Sequence, residues 1–102
     1  MGYAVGIPHL KTLPTKENKM EIILCAVLDK KAKEFQAPFA QPNKAVACRS
    51  FMQAVNEDKS VLNKFAEDYA LYMIGKFNVE KGTLKQENEL LLEAANVATK
   101  KN

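Results

Sequence analysis

Seven side chains carry the chemistry that this sequence offers most directly. Lys30, Lys31 and Lys33 are interleaved with Phe35 and Phe39 around one expected hairpin, and Lys76 and Lys81 join them if a second hairpin shares the same sheet edge. Ammonium groups neutralise phosphates and aromatic rings stack on unpaired bases, which is how strand-rich modules hold single-stranded nucleic acid without reading its sequence. On residue types alone the plainer alternative is favoured, in which both phenylalanines are core and the lysines only solubilise. The single arginine, Arg49, argues against base-edge readout, because bidentate arginine on guanine is the commonest device for it.

Catalytic constellations are weak. The one histidine, His9, has no acid nearby, so a nucleophile and base pair lacks a member. The acids Glu57-Asp58 and Glu67-Asp68 flank a short helical turn, where capping and solvation account for them. The glycines stand scattered at positions 2, 6, 75 and 82, so no phosphate-cradling loop is formed. Cys25, Cys48 and His9 lack metal-ligand spacing, and neither an enzyme, a cofactor nor a metal is expected. Cys25 falls in an apolar strand and Cys48 in an amphipathic helix, as small buried thiols of a reduced compartment do. A disulfide between them requires those elements to pack directly.

A chain of 102 residues is the size of one domain, and 47% hydrophobic with 26% charged residues suits a soluble globular protein. The net charge of +3 is spread thinly: residues 20–85 hold ten Lys or Arg against eight Asp or Glu, so no segment announces nucleic acid by charge alone. The apolar run Ile22 to Leu28 is too short to cross a bilayer, and the amino terminus lacks a secretory apolar region. Gly6 stands where a myristoylation motif wants Ser or Thr. A cytosolic protein without membrane contact is expected.

The elements that must position the seven residues follow from periodicity. Residues 1–19 hold two glycines, two prolines and no sustained period, an arm that precedes a single domain over 20–102. Glu21 to Asp29 reads as a central strand, apolar on both faces, and a polar reversal leads to a shorter strand, Phe35 to Ala40. Pro38 and Pro42 confine that strand to an edge, since proline cannot donate to a ladder. Asn43 caps a helix through Asn56 whose stripe of Ala45, Cys48, Phe51, Met52 and Val55 should lie on the sheet. Asp58 or Ser60 caps a helical turn over residues 61–65.

The stretch Tyr69 to Phe77 is the clearest strand. Alternation sets Tyr69, Leu71, Met73 and Phe77 on one face and Ala70, Tyr72, Ile74 and Lys76 on the other, with both faces covered. Asn78 to Gly82 forms the turn, and Thr83-Leu84-Lys85 resumes a strand. Glu87 to Thr99 is helical by period, with Leu90, Leu91, Ala94, Val97 and Ala98 sharing a face. The expected fold is α+β: a small, mainly antiparallel sheet of two hairpins in the order β-β-α-β-β-α, with helices packed on it.

Across this frame run Pro42-Asn43-Lys44, Arg49-Ser50-Phe51, Ala54-Val55-Asn56, Ser60, Leu62, Glu67-Asp68-Tyr69, Leu71-Tyr72, Ile74-Gly75 and Phe77. In types and spacing this succession resembles the small non-structural protein of gokushovirus-like Microviridae phages, over about Met20 to Leu84. Ala66 stands where that family has proline, Asn56-Glu57-Asp58 where it has asparagine-aspartate-proline, and Asn78 where it has a turn aspartate. The resemblance implies a phage accessory protein of the infected bacterial cytoplasm. It further implies DNA binding during single-stranded genome replication and packaging, with no catalytic residues. Single-stranded DNA is then the expected partner. The rival is an interaction protein that uses the helix from Leu90 or the arm to bind a phage or host replication protein, a capsid protein or a second copy of itself.

Overall fold

A computed structural model describes residues 20–99, and the arm expected over 1–19, with His9, lies outside the described residues. The architecture is α+β, built on an antiparallel sheet. Strand β1 (Glu21–Asp29) lies centrally; β2 (Glu34–Phe35) and β3 (Phe39–Gln41) pair with one side of it. On its other side lies β4 (Tyr69–Asn78), followed by β5 (Thr83–Glu93). The expected edge strand is present but broken in two around Pro38, which has no N–H to give the ladder. The Gln36 amide bridges the gap by donating to the Val27 carbonyl at 2.8 Å.

One face of the sheet is covered by helix α1 (Lys44–Val55). Its Asn43 cap accepts a 2.9 Å hydrogen bond from the Val46 amide, which satisfies one of the orphan donors of the first turn. Ala47, Phe51 and Val55, each four residues from the next, are buried against Ile23, Cys25, Val27, Leu71 and Met73. This stripe is rotated from the expected one: Cys48 is half-buried, and Ala45 and Met52 face outward. A row at constant spacing of four runs obliquely across the helix, and here it is this oblique row, with small Ala47 at its start, that packs on the sheet.

After α1, Ser60 donates to the Ala54 carbonyl and accepts from the Leu62 amide, starting α2 (Val61–Lys64). A 3-10 turn over Ala66–Asp68 then delivers the chain to β4. The expected face assignment in β4 fails halfway along. Leu24 pairs with Gly75 and Cys25 with Met73, so Ile74 is an extra residue in a bulge. A bulge resets a period of two. Beyond it Phe77, opposite Ile22, joins the face of Tyr72, and Lys76, opposite Ile23, joins that of Leu71 and Met73.

The expected long helix over 87–99 is corrected to strand as far as Glu93, with only α3 (Ala94–Val97) helical. Leu90 opposes Tyr72 and Leu92 opposes Leu71, which leaves Leu91 as the extra residue of a second bulge, and a further shift sets Glu87 and Asn88 opposite Ile74 alone. Three consecutive leucines around a bulge imitate the spacing of a helical stripe. Beyond α3 the chain is pinned by Asn56: its Nδ2 donates to the Val97 carbonyl at 2.9 Å, and its Oδ1 accepts from the Thr99 amide at 2.8 Å.

Candidate nucleic-acid interface

The second face of the sheet carries no helix among the described residues, contrary to the expectation that both are covered. It is apolar nonetheless. Ile22, Leu24, Ala26 and Leu28 of β1 alternate with the core residues, and the registers add Phe35, Tyr72, Phe77, Leu84 and Leu90 to the same face. Ala26 is covered by these neighbours, whereas Phe35, Leu84 and Leu90 are 43%, 60% and 45% exposed. Gly75 fits this surface because a Cβ there would stand 3.2 Å from the Leu84 side chain. The Phe35 ring meets that of Tyr72 edge to face, centroids 5.3 Å apart and planes at 87°. Such a pair fixes both rings and leaves Phe35 partly open to solvent.

The structure divides the seven expected residues. Lys30, Lys31 and Lys33 sit in the turn between β1 and β2, beside Phe35. Lys81 sits in the turn between β4 and β5, at the opposite end of the sheet, because Asp29 opposes Tyr69 while Glu21 opposes Asn78. The separation is eight residue steps, roughly 26 Å at the usual rise of a strand. Phe39 opposes Cys25 and so lies on the helix-covered face, at its edge; Lys76 lies on that face too. The two phenylalanines therefore cannot serve one surface.

Charge pairing separates the lysines further. Lys30 Nζ donates to Glu93 at 2.6 Å, and this hydrogen bond holds the ammonium above its ordinary range. Lys44 pairs with Glu89 at 3.0 Å and Lys85 lies 3.9 Å from Glu87. Lys31, Lys33, Lys76 and Lys81 enter no ion pair among the described residues. Both cysteines are free thiols; burial, and then the neighbouring Cys48, pushes the Cys25 thiol up.

Sequence reasoning missed Tyr72, Phe77, Leu84 and Leu90 as parts of one surface. Alternation pointed to Tyr72, but nothing in residue types marks a bulge. It also missed an open cavity of about 470 Å³ at the helical end, lined by Lys59, Ser60, Val61, Asn63 and Lys64.

Comparison with curated proteins and with solved structures gives no significant match. A family model does match, over residues 22–97, from the first apolar residue of β1 to the last of α3. With three-quarters of its length inside that match, and every described element but for Glu21 at the start of β1, the chain belongs to the Phage ORF5 protein family.

Proposed function

We propose that this phage protein is a non-catalytic accessory factor of the gokushovirus-like Microviridae kind, which holds single-stranded DNA on the open face of its sheet during genome replication and packaging. The observation that carries this reading is the Phe35–Tyr72 pair, standing on an open face beside the lysine turn. Bases stack on exposed rings, and the ammonium groups of Lys31 and Lys33 lie next to that platform to meet the backbone. The face continues past Tyr72 to Phe77 and ends at the turn that holds Lys81, so one strand crossing it meets cations at both ends. Lys30 is tied to Glu93 and adds less. Phe39 and Lys76 lie off this path.

The test is fluorescence anisotropy with a labelled oligothymidine over a salt series. Affinity should fall as salt rises, and the K31A/K33A variant should lower the slope of log affinity against log salt by about two. Phe35→Ala should weaken binding by about 1–3 kcal/mol, the range for loss of one stacking ring. Phe39→Ala should leave it unchanged. Binding that ignores salt, or equal losses in the two phenylalanine variants, would overturn the reading.

A further inference from the structure

The outer edge of β5 is the longest free edge among the described residues. Its eleven residues, Thr83–Glu93, pair with β4 on one side, and no described strand pairs with the other. A row of unpaired N–H and C=O groups is a template for another strand. The opposite edge of the sheet is cut by Pro38 into pieces of two and three residues.

We propose that two copies of this chain pair through β5, antiparallel, about a twofold axis at Glu87. In that register Leu84 of each copy meets Leu90 of the other, Lys85 meets Glu89, and Gln86 meets Asn88. Opposed residues of an antiparallel ladder must share a face. They do: Leu84 and Leu90 oppose Phe77 and Tyr72 of β4 on the open face, while Lys85 and Glu89 oppose Lys76 and Met73 on the other. The two most exposed apolar side chains of β5, at 60% and 45%, thereby cover each other.

The charges select the same register. Lys85 stands across from Lys76 within the chain, an unfavourable pair that Glu89 of the second copy offsets. Glu89 already receives Lys44 at 3.0 Å, but a carboxylate has room for further donors. Glu87 meets its own copy on the axis, with Lys85 at 3.9 Å on each side to balance it. Moving the axis to Asn88 would set Glu87 against Glu89 and Lys85 against Leu91. Moving it to Gln86 would leave Leu84 facing Asn88. The dimer joins two sheets into one and extends the open face across the axis, independently of whether DNA occupies that face.

Light scattering on the full chain across a concentration series tests the proposal, with circular dichroism confirming that each variant folds. The expected result is a dimer whose dissociation constant rises about tenfold in K85E and in E89K, where like charges face each other. The double variant K85E/E89K should restore it. Under oxidation E87C should form a disulfide-linked dimer and K81C should not. A monomer at every concentration, including one whose β5 edge is taken by its own residues 1–19, overturns the proposal. So does a dimer indifferent to the single charge reversals, or one in which E87C fails to cross-link.

Discussion

The two hairpin turns of this molecule share one backbone plan, and the difference that matters most to it is at the fifth seat. In the first, Asp29 Oδ1 accepts the amides of Lys31 and Ala32 at 3.1 Å, and the Lys33 amide donates to the Asp29 carbonyl at 2.8 Å. In the second, Asn78 Oδ1 accepts the amides of Glu80 and Lys81 at 2.9 Å, and the Gly82 amide donates to the Asn78 carbonyl at 2.7 Å. The fifth residue of each turn has positive φ, 63° at Lys33 and 70° at Gly82. Glycine takes that conformation without a Cβ clash, whereas lysine does so at a cost of about 1–2 kcal/mol. The first turn thus puts a charged side chain where its own geometry asks for glycine. It is also the turn that borders Phe35. The second turn, at the far end of the sheet, takes the glycine.

If the turns are equivalent, exchanging their fifth residues exposes the backbone cost directly. Gly82→Lys should destabilise the fold by about 1–2 kcal/mol, read as a lower urea midpoint at unchanged slope. Packing adds nothing to this figure, because a Cβ at Gly82 meets no atom within 4 Å. An unchanged midpoint would show that the second turn relaxes and that the common plan is superficial.

The next effect is smaller and should be nearly the same in both turns. Asp29→Ala and Asn78→Ala each remove one side-chain oxygen that holds two backbone amides, a loss of about 1 kcal/mol. Matching losses in urea denaturation sharpen the comparison. A loss at Asp29 alone would mean that its charge, set among Lys30, Lys31 and Lys33, stabilises more than its hydrogen bonds do.

The same pair of turns shows how far residue types reach. The second hairpin was legible because Asn78 and Gly82 have the chemistry their seats require, and Asn43 announced the helix start in the same way, while Pro38 announced an edge strand but not its division into two pieces. Lys33 gave no sign of positive φ, since its conformation is imposed by Asp29 and by the strands it joins. The bulges were hidden for a related reason. Nothing distinguishes Ile74 or Leu91 from neighbours that obey the period of two, so the faces of Phe77 and Lys76 were exchanged and Leu90 to Leu92 passed for a helix. The candidate site inherited both errors: Phe35 and its lysines were found from composition, while Tyr72 and Phe77 came together only through the register.

The smallest effect on stability is the one that decides what Lys33 is for. Lys33→Gly should stabilise the fold by about 0.5–1 kcal/mol, read as a higher urea midpoint, the relief of the left-handed seat less the added entropy of the unfolded chain. On the proposed DNA face it should at the same time lower the salt slope by about one, because one phosphate-facing ammonium is gone. Lys33→Ala separates the two terms, since it removes the charge and keeps the backbone cost. A stability gain with a lower slope in the glycine variant, and a lower slope without the gain in the alanine variant, would mean that the turn bears strain to place a cation beside Phe35. A stability gain with an unchanged slope would make that cation idle, and the DNA path would then have to enter the face from the Lys81 end.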